Sequence, residues 1–283
     1  MKSLILFDLH YALNNKIAQS KLASILELDD DFDALLLGGD NAELSPDFQN
    51  HRILFESLKN RFNCKIGFIL GNHELWGKLL NVSSIRLLYE VLPQLGKEYG
   101  LAYLEQENLE VKGTTFVGTY GHFDYSFLRP GKGITIDALL RGEFDAGEKK
   151  IIWKDMLYMD WEGKSDEEIC MDLVKGFSHR LTDIPKRKIS LSHTIPSLSL
   201  NGHPDSPEQY FMEAYSGSSL IGNVLEANGG YYHFCGHTHA KATATIGKTK
   251  VFNLGSDYDL LRYIIFSSNK ESPKAEEREV HFT

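Results

Sequence analysis

Ile66-Gly67-Phe68-Ile69-Leu70-Gly71-Asn72-His73-Glu74 joins an apolar run directly to a glycine, an amide, an imidazole and a carboxylate. A short apolar run ending in glycine and polar residues reads as a buried strand that meets a loop. The arrangement recurs at four other places. Leu4 to Phe7 precedes Asp8-Leu9-His10, Ala34 to Leu37 precedes Gly39-Asp40, Ile189 to Leu191 precedes Ser192-His193, and Tyr231 to Phe234 precedes Gly236-His237-Thr238-His239. In open α/β sheets the carboxyl ends of strands border the crevice where ligands bind. One crevice can thus collect five His, two Asp and one Asn from distant parts of the chain.

Outward from these motifs, the first third alternates strand and helix. Ser3 to Phe7, Asp33 to Leu37 and Lys65 to Leu70 read as strands. Asn15 to Leu28, Asp47 to Asn60 and Ser83 to Tyr99 read as helices, the last broken at Pro93. The β-α-β-α-β order implies parallel pairing with right-handed crossovers. Leu101 to Leu104, Leu109 to Val111 and Thr115 to Thr119 form short strands. Gly121 to Pro185 is different, with aromatic residues among many charges and helices at Lys149 to Tyr158 and Asp166 to Leu181. It reads either as a cap inserted near the site or as a peripheral helical layer. Strands return at Ile189 to Ser192, Tyr231 to Cys235, Ala242 to Ile246, Thr249 to Leu254 and Tyr263 to Ser267. Asn201 to Pro207 is a surface loop, and the charged stretch from Asn269 is a solvated tail, extending to about residue 283. The chain is expected to be one domain, 1–283, with the cap at about 121–185.

Composition sets the class. The chain has 283 residues, 42% hydrophobic and 24% charged, with a formal net charge of −9, as in an ordinary globular protein. The acidic balance argues against nucleic acid or an anionic membrane as partner. It permits a phosphate-bearing substrate, because bound cations dominate the local field. Cys64, Cys170 and Cys235 form neither a disulfide framework nor a zinc ribbon. The amino-terminal apolar stretch is too short for a signal peptide and is interrupted by Asp8. With no run long enough to span a membrane, the expected location is cytoplasmic.

Carboxylate, imidazole and amide oxygen are ligands for divalent first-row metals. Asp8 and His10 alternate along an extended backbone and so face one ion, as do His237 and His239. Asp40, after two glycines, can bridge two ions with its two oxygens. Asn72 offers a neutral oxygen, His73 an imidazole free of metal, and Glu74 a means of fixing the His73 tautomer or capping a helix. Taken singly, each motif is also a turn or a polar surface pair; taken together in this order, they define a site. Ile246-Gly247-Lys248-Thr249 is not a phosphate loop, since Ala242 stands where glycine is needed.

The ordered pattern D-x-H, G-D, G-N-H-E, H and G-H-x-H resembles that of the calcineurin-like metallophosphoesterase superfamily. The resemblance covers Asp8 to Asp40, Ile69 to Glu74 and Ile189 to Gly255. It implies an α/β fold, a four-layer α-β-β-α sandwich of two mixed sheets packed face to face and flanked by helices. It implies one ion on Asp8, His10, Asp40 and His239, and another on Asp40, Asn72, His193 and His237. His73 corresponds to the family's catalytic histidine. Tyr120 to Ser126 is similar to a segment of uncharacterised bacterial members, with His122 and Tyr125 as candidate substrate contacts. Asp8-Leu9-His10-Tyr11-Ala12 and Asp40-Asn41-Ala42-Glu43 depart from the protein Ser/Thr phosphatase pattern.

The expected cofactors are two divalent transition-metal ions, Mn, Fe, Zn or Co, with Mn favoured. Two ions about 3.5–4 Å apart activate a bridging water for in-line attack on phosphorus. The expected substrate is a small phosphorylated molecule. A phosphodiester is slightly favoured, because few arginines lie near the motifs; Arg129, Arg141 and Arg180 in the cap could reverse this. The alternatives are a phosphomonoesterase for a small molecule or nucleotide, and a non-catalytic protein-binding scaffold.

Overall fold

The computed structural model describes residues 1–147, 149–184, 187–268 and 273–282. The strands in chain order are β1 (Lys2–Leu6), β2 (Ala34–Gly38), β3 (Lys65–Ile69), β4 (Ala102–Tyr103), β5 (Leu109–Val111), β6 (Thr114–Thr119), β7 (Glu143–Asp145), β8 (Lys150–Ile152), β9 (Lys188–Ser192), β10 (Tyr232–Cys235), β11 (Ala242–Ile246), β12 (Thr249–Asn253), β13 (Leu260–Ser268) and β14 (Pro273–His281). The α-helices are α1 (Lys16–Leu26), α2 (Gln49–Arg61), α3 (Ser84–Arg86), α4 (Leu92–Glu98), α5 (Ile136–Arg141), α6 (Lys154–Tyr158), α7 (Asp166–Thr182), α8 (Pro207–Glu213) and α9 (Ser219–Asn228).

Two mixed sheets of six strands form the frame, in the orders β14-β13-β1-β2-β3-β4 and β11-β12-β10-β9-β6-β5. Strand alternation sorts the core. Ile5, Leu36 and Ile69 of the first sheet meet Phe116, Leu191 and Phe234 of the second in the layer between the sheets. Leu4, Leu6, Leu35 and Leu37 point the other way, onto a cluster with Leu22 and Ile25 of α1 and Leu54, Phe55 and Leu58 of α2. Val174, Phe177 and Leu181 of α7 join Ile221 and Leu225 of α9 on the outer face of the second sheet. This is the expected sandwich of two sheets flanked by helices. β1, β2 and β3 run parallel, as do β6, β9, β10 and β12. Their carboxyl ends carry all five motifs.

Several local expectations change. Ser83–Tyr99 is interrupted by a π turn at Leu87–Val91, two residues before Pro93, whose missing N–H breaks the regular ladder; Pro93 itself lies in the first turn of α4. Lys149–Tyr158 is not one helix. Its β-branched Ile151-Ile152 pair with Glu143-Phe144 as β8 against β7, and α6 begins only after Trp153. The charged tail is a strand along much of its length. β14 pairs with β13 from Pro273–Ser268 to His281–Leu260. A charged edge strand resists pairing with other chains, and in sequence it resembles a solvated run. Residues 269–272 and 283 lie outside the described residues, as do Glu148 and Pro185 of the expected cap. Within 121–185, α7 is a layer of the sandwich, whereas Ile151 to Asp155 reach the cleft at the motifs. Among the described residues, no helix is long and apolar enough to cross a membrane.

Candidate metal centre

The residues after each strand leave extended geometry at once. Asp8, His10, Asp40, His237 and His239 all have positive φ, between 47° and 69°. For residues other than glycine this costs on the order of 1 kcal/mol each, and such outliers concentrate at functional sites. The convergence therefore arises from left-handed turns, not from the alternation of an extended segment. One consequence is that His237 and His239 separate: His239 joins Asp8 and His10, whereas His237 turns to Asn72.

Glycine makes the approach feasible. A Cβ on Gly71 would lie 2.1 Å from Asp40 Oδ1, and one on Gly39, at φ +96°, 2.5 Å from His193 Nδ1. Potential ligand atoms of Asp8, His10 and His239 fall within 4.8 Å of one another, and so do those of Asp8, Asp40 and His193, and of His10, Asp40 and His73. Asp40 is central. Its Oδ2 is 3.5 Å from His193 Nε2 and 3.7 Å from His10 Nε2, while its Oδ1 accepts the His73 backbone N–H at 2.9 Å.

Four of the five imidazoles have Nδ1 held from outside the cluster. Glu43 Oε1 lies 2.8 Å from His10 Nδ1 and 3.0 Å from His73 Nδ1. Gly38 O lies 3.2 Å from His193 Nδ1, and Asp257 Oδ1 3.0 Å from His239 Nδ1. These acceptors fix the tautomers and leave the Nε2 atoms facing inward. His10 Nε2 is buried without a hydrogen-bond partner. Glu74, by contrast, directs its carboxylate away from the His73 ring. It accepts from Asn41 Nδ2, His51 Nε2 and the Gly71 N–H, bracing the second motif against the third.

His237 exposes the electrostatic gap most clearly. Its Nε2 is 3.2 Å from Tyr215 O, and its Nδ1 is 3.0 Å from Asn72 Oδ1. The Asn72 amide is oriented by donation from Nδ2 to Asp155 Oδ1 at 3.0 Å, so its oxygen faces the imidazole. A neutral imidazole has one N–H and cannot serve two acceptors. Protonation does not resolve this, because burial drives the His237 pKa down to about 3, reinforced by the charge of His193. His193 Nε2 also lies 3.1 Å from the same Asn72 oxygen. A divalent cation among these acceptors removes the conflict, so the donor set fits a metal.

Charge follows the same logic. Burial pushes the Asp40 carboxyl up, but His193, His73 and His10 together outweigh it and hold it well below the usual range. Burial lowers His193, yet Asp40 and Asp8 raise it to about 9. Burial likewise works against ionised Glu43, but its bonds to His10 and His73 hold it at about 2. Burial lowers His73, while Asp40 and Glu43 overcompensate and lift it to about 9. Nearby cations would act on His73 in the opposite direction.

His73 stacks on Trp76, with ring centroids 3.9 Å apart, and lines a cleft of about 600 Å³ with Asp40, Asn72, His237 and His239. The other two candidates lie elsewhere. His122 Nε2 binds Asp166 Oδ1 at 2.7 Å, and the Tyr125 hydroxyl donates to Asp166 Oδ2. Both are buried, and neither is among the residues lining the cleft. Sequence reasoning missed Glu43, Asp155 and Asp257. Glu43 follows Asp40 by three positions, which is a usable signal. Asp155 and Asp257 carry none. Asp155 is 1% exposed and accepts from Asn72, Trp76 Nε1 at 2.7 Å and Trp153 Nε1 at 3.1 Å.

A model of the calcineurin-like phosphoesterase family matches residues 1–241. No curated protein matches the chain in sequence. Among solved structures, a phosphopantetheinyl hydrolase from Mycobacterium tuberculosis is 20% identical, with a TM-score of 0.71, covering 89% of this chain and 88% of its own. A protein serine/threonine phosphatase from Saccharomyces cerevisiae is 13% identical, with a TM-score of 0.38, covering 94% of this chain and 72% of its own.

Proposed function

Since this chain belongs to the calcineurin-like phosphoesterase family, we propose that it hydrolyses small phosphodiesters at a centre holding two divalent cations. Hydrolysis of phosphoester bonds and metal dependence come with the family. The cation pair, the individual ligands and the diester preference are our reading. Asp8, His10, Asp40 and His239 would hold one ion, and Asp40, Asn72, His193 and His237 would hold the other. The observation that carries this assignment is the gathering of acceptors around Asp40 and Asn72, including His237 with an acceptor oxygen at each nitrogen. Mixed nitrogen and oxygen donors suit Mn, Fe, Co or Zn, with Mn favoured. Such ions, when bound, acidify water and clamp phosphoryl oxygens.

The chain's own groups do the rest. Glu43 accepts at Nδ1 of His73, which leaves Nε2 as the nitrogen offered to the cleft. The Trp76 ring holds that imidazole from one side. A protonated His73 donates to a phosphoryl oxygen or to the departing ester oxygen. The diester preference rests on charge. Lys154 is the lysine among the cleft-lining residues, and no arginine is among them. Arg129 is paired with Glu213, and Arg180 with Glu105 and the Gly118 carbonyl. A monoanionic diester needs fewer cations than a dianionic monoester. The test compares bis(4-nitrophenyl) phosphate with 4-nitrophenyl phosphate on the Mn-loaded protein. The diester is expected to show the higher kcat/KM; a monoester advantage would establish the phosphomonoesterase alternative.

A further inference from the structure

The cleft that the ligand cluster lines also carries on its wall a group of large apolar side chains. β8 and the residue after it contribute Ile151, Ile152 and Trp153, α8 contributes Met212, and Trp76 and Tyr258 add aromatic surface; uncharged and loop residues such as Asn201, Gln209 and Thr238, with His203, line the rest. Ile152, Met212 and Tyr258 remain 45%, 42% and 51% exposed. Large apolar side chains left wet along a concave surface that runs into a reactive centre mark a ligand site. A volume of about 600 Å³ is also ample for a small organic molecule rather than a bare phosphoryl group.

Charge and ring geometry narrow the class. Glu213 also borders the cleft, but Arg129 neutralises it. Lys154 is the lysine of the lining, so no cation cluster awaits a second phosphate or a carboxylate. The two tryptophans are already engaged. Trp76 stacks on His73 and Trp153 on Tyr215, the latter with ring centroids 4.8 Å apart and planes at 10°. Both indole N–H groups are spent on Asp155. Neither ring pairs with the other to sandwich a base, whereas the aliphatic side chains suit a flexible hydrocarbon.

Building on the phosphodiester reading, we propose that this wall is a subsite for an uncharged, aliphatic ester arm of the substrate. The phosphoryl group then sits at Asp40, Asn72 and His73, and the arm lies along Ile152, Trp153 and Met212.

The probe is a series of alkyl(methyl)phosphinates from methyl to hexyl. These are monoanions whose two arms are both joined by P–C bonds, so they mimic a diester and carry no ester bond to cleave. They are titrated onto Mn-loaded protein while tryptophan fluorescence is followed, since Trp76 and Trp153 line the cleft. Affinity is expected to rise about two- to fourfold per methylene, as for partial to full burial of each CH₂. The double variant Ile152→Ser, Met212→Ser is expected to flatten that series. Both side chains are half exposed, so their loss does not open the core. A flat series in the wild type, or an unchanged slope in the variant, overturns the subsite. Turnover of bis(4-nitrophenyl) phosphate, measured alongside, judges the diester reading separately. Diester turnover with a flat series removes only the arm subsite; a sloping series without diester turnover retains the subsite and removes the diester reading.

Discussion

Glu43→Gln isolates the carboxylate that no motif contains. Glu43 lies 2.8 Å from His10 Nδ1 and 3.0 and 3.1 Å from His73 Nδ1. Held at about 2 by its bonds to both rings, against burial, it is ionised at neutral pH and can only accept. A hydrogen bond to a charged group contributes about 1.5–3 kcal/mol, and a neutral one about 1 kcal/mol. The side chain is 31% exposed, so solvent screening takes part of the charged contribution. Glutamine keeps the shape and one acceptor. The net loss is about 1–2 kcal/mol, or about five- to thirtyfold, divided between the two histidines. That falls near the range for losing a partner that orients metal ligands. The assay is activity against Mn²⁺ concentration. The metal requirement should rise, because His10 loses its fixed tautomer. Saturating metal should repair that part and leave a residual fall in kcat through His73. Because Glu43 helps raise the His73 pKa, the alkaline limb of kcat should move to lower pH. A merely structural role would not move that limb. Wild-type metal requirement, kcat and pH profile in the variant would show that Glu43 orients neither histidine.

Three further outcomes test separate links. His73→Ala should retain metal by elemental analysis while losing about 10²–10⁴-fold in kcat; wild-type turnover would remove His73 from the mechanism. Asp155→Asn places an amide among the donors of Asn72, Trp76 and Trp153, and should weaken binding of one ion about 10–100-fold; unchanged calorimetric titrations would contradict the bracing role. His233 is buried between Ser190 and Ser192, and burial lowers its pKa to about 3. The unfolded chain binds that proton below about 6.5, so this contribution to stability is complete above that pH and lost as pH falls toward 3. It changes by about 1.4 kcal/mol per unit in that window. His233→Gln should show a shallower loss between pH 7.5 and 5 in urea unfolding, and equal slopes would contradict the assignment.

The site was legible because its ligands directly follow strands that bury both faces. Leu4 to Phe7 and Ala34 to Leu37 identify themselves as strands, and the polar residues after them mark the crevice. The conformation of those residues was not legible. Positive φ at Asp8, His10, Asp40, His237 and His239 follows from tertiary packing, and no spacing rule announces it. Glu43 stood close to Asp40 in sequence, yet its role depends on where His10 and His73 are carried. Asp155 is more distant still, because it reaches Asn72 across 83 positions. The strand at Pro273–His281 was missed because its exposed charges hide the ladder with β13. The hairpin of β7 and β8 was missed because Lys149 to Tyr158 is short enough to fit either period.

On the proposed assignment, two cations share the Asp40 carboxylate. Metal content of Mn-loaded, gel-filtered protein tests it directly, for the wild type beside Asp40→Ala and His237→Ala. Two equivalents are expected in the wild type, with loss of both in Asp40→Ala and loss of one in His237→Ala. A single equivalent in the wild type, or two retained by Asp40→Ala, would contradict it.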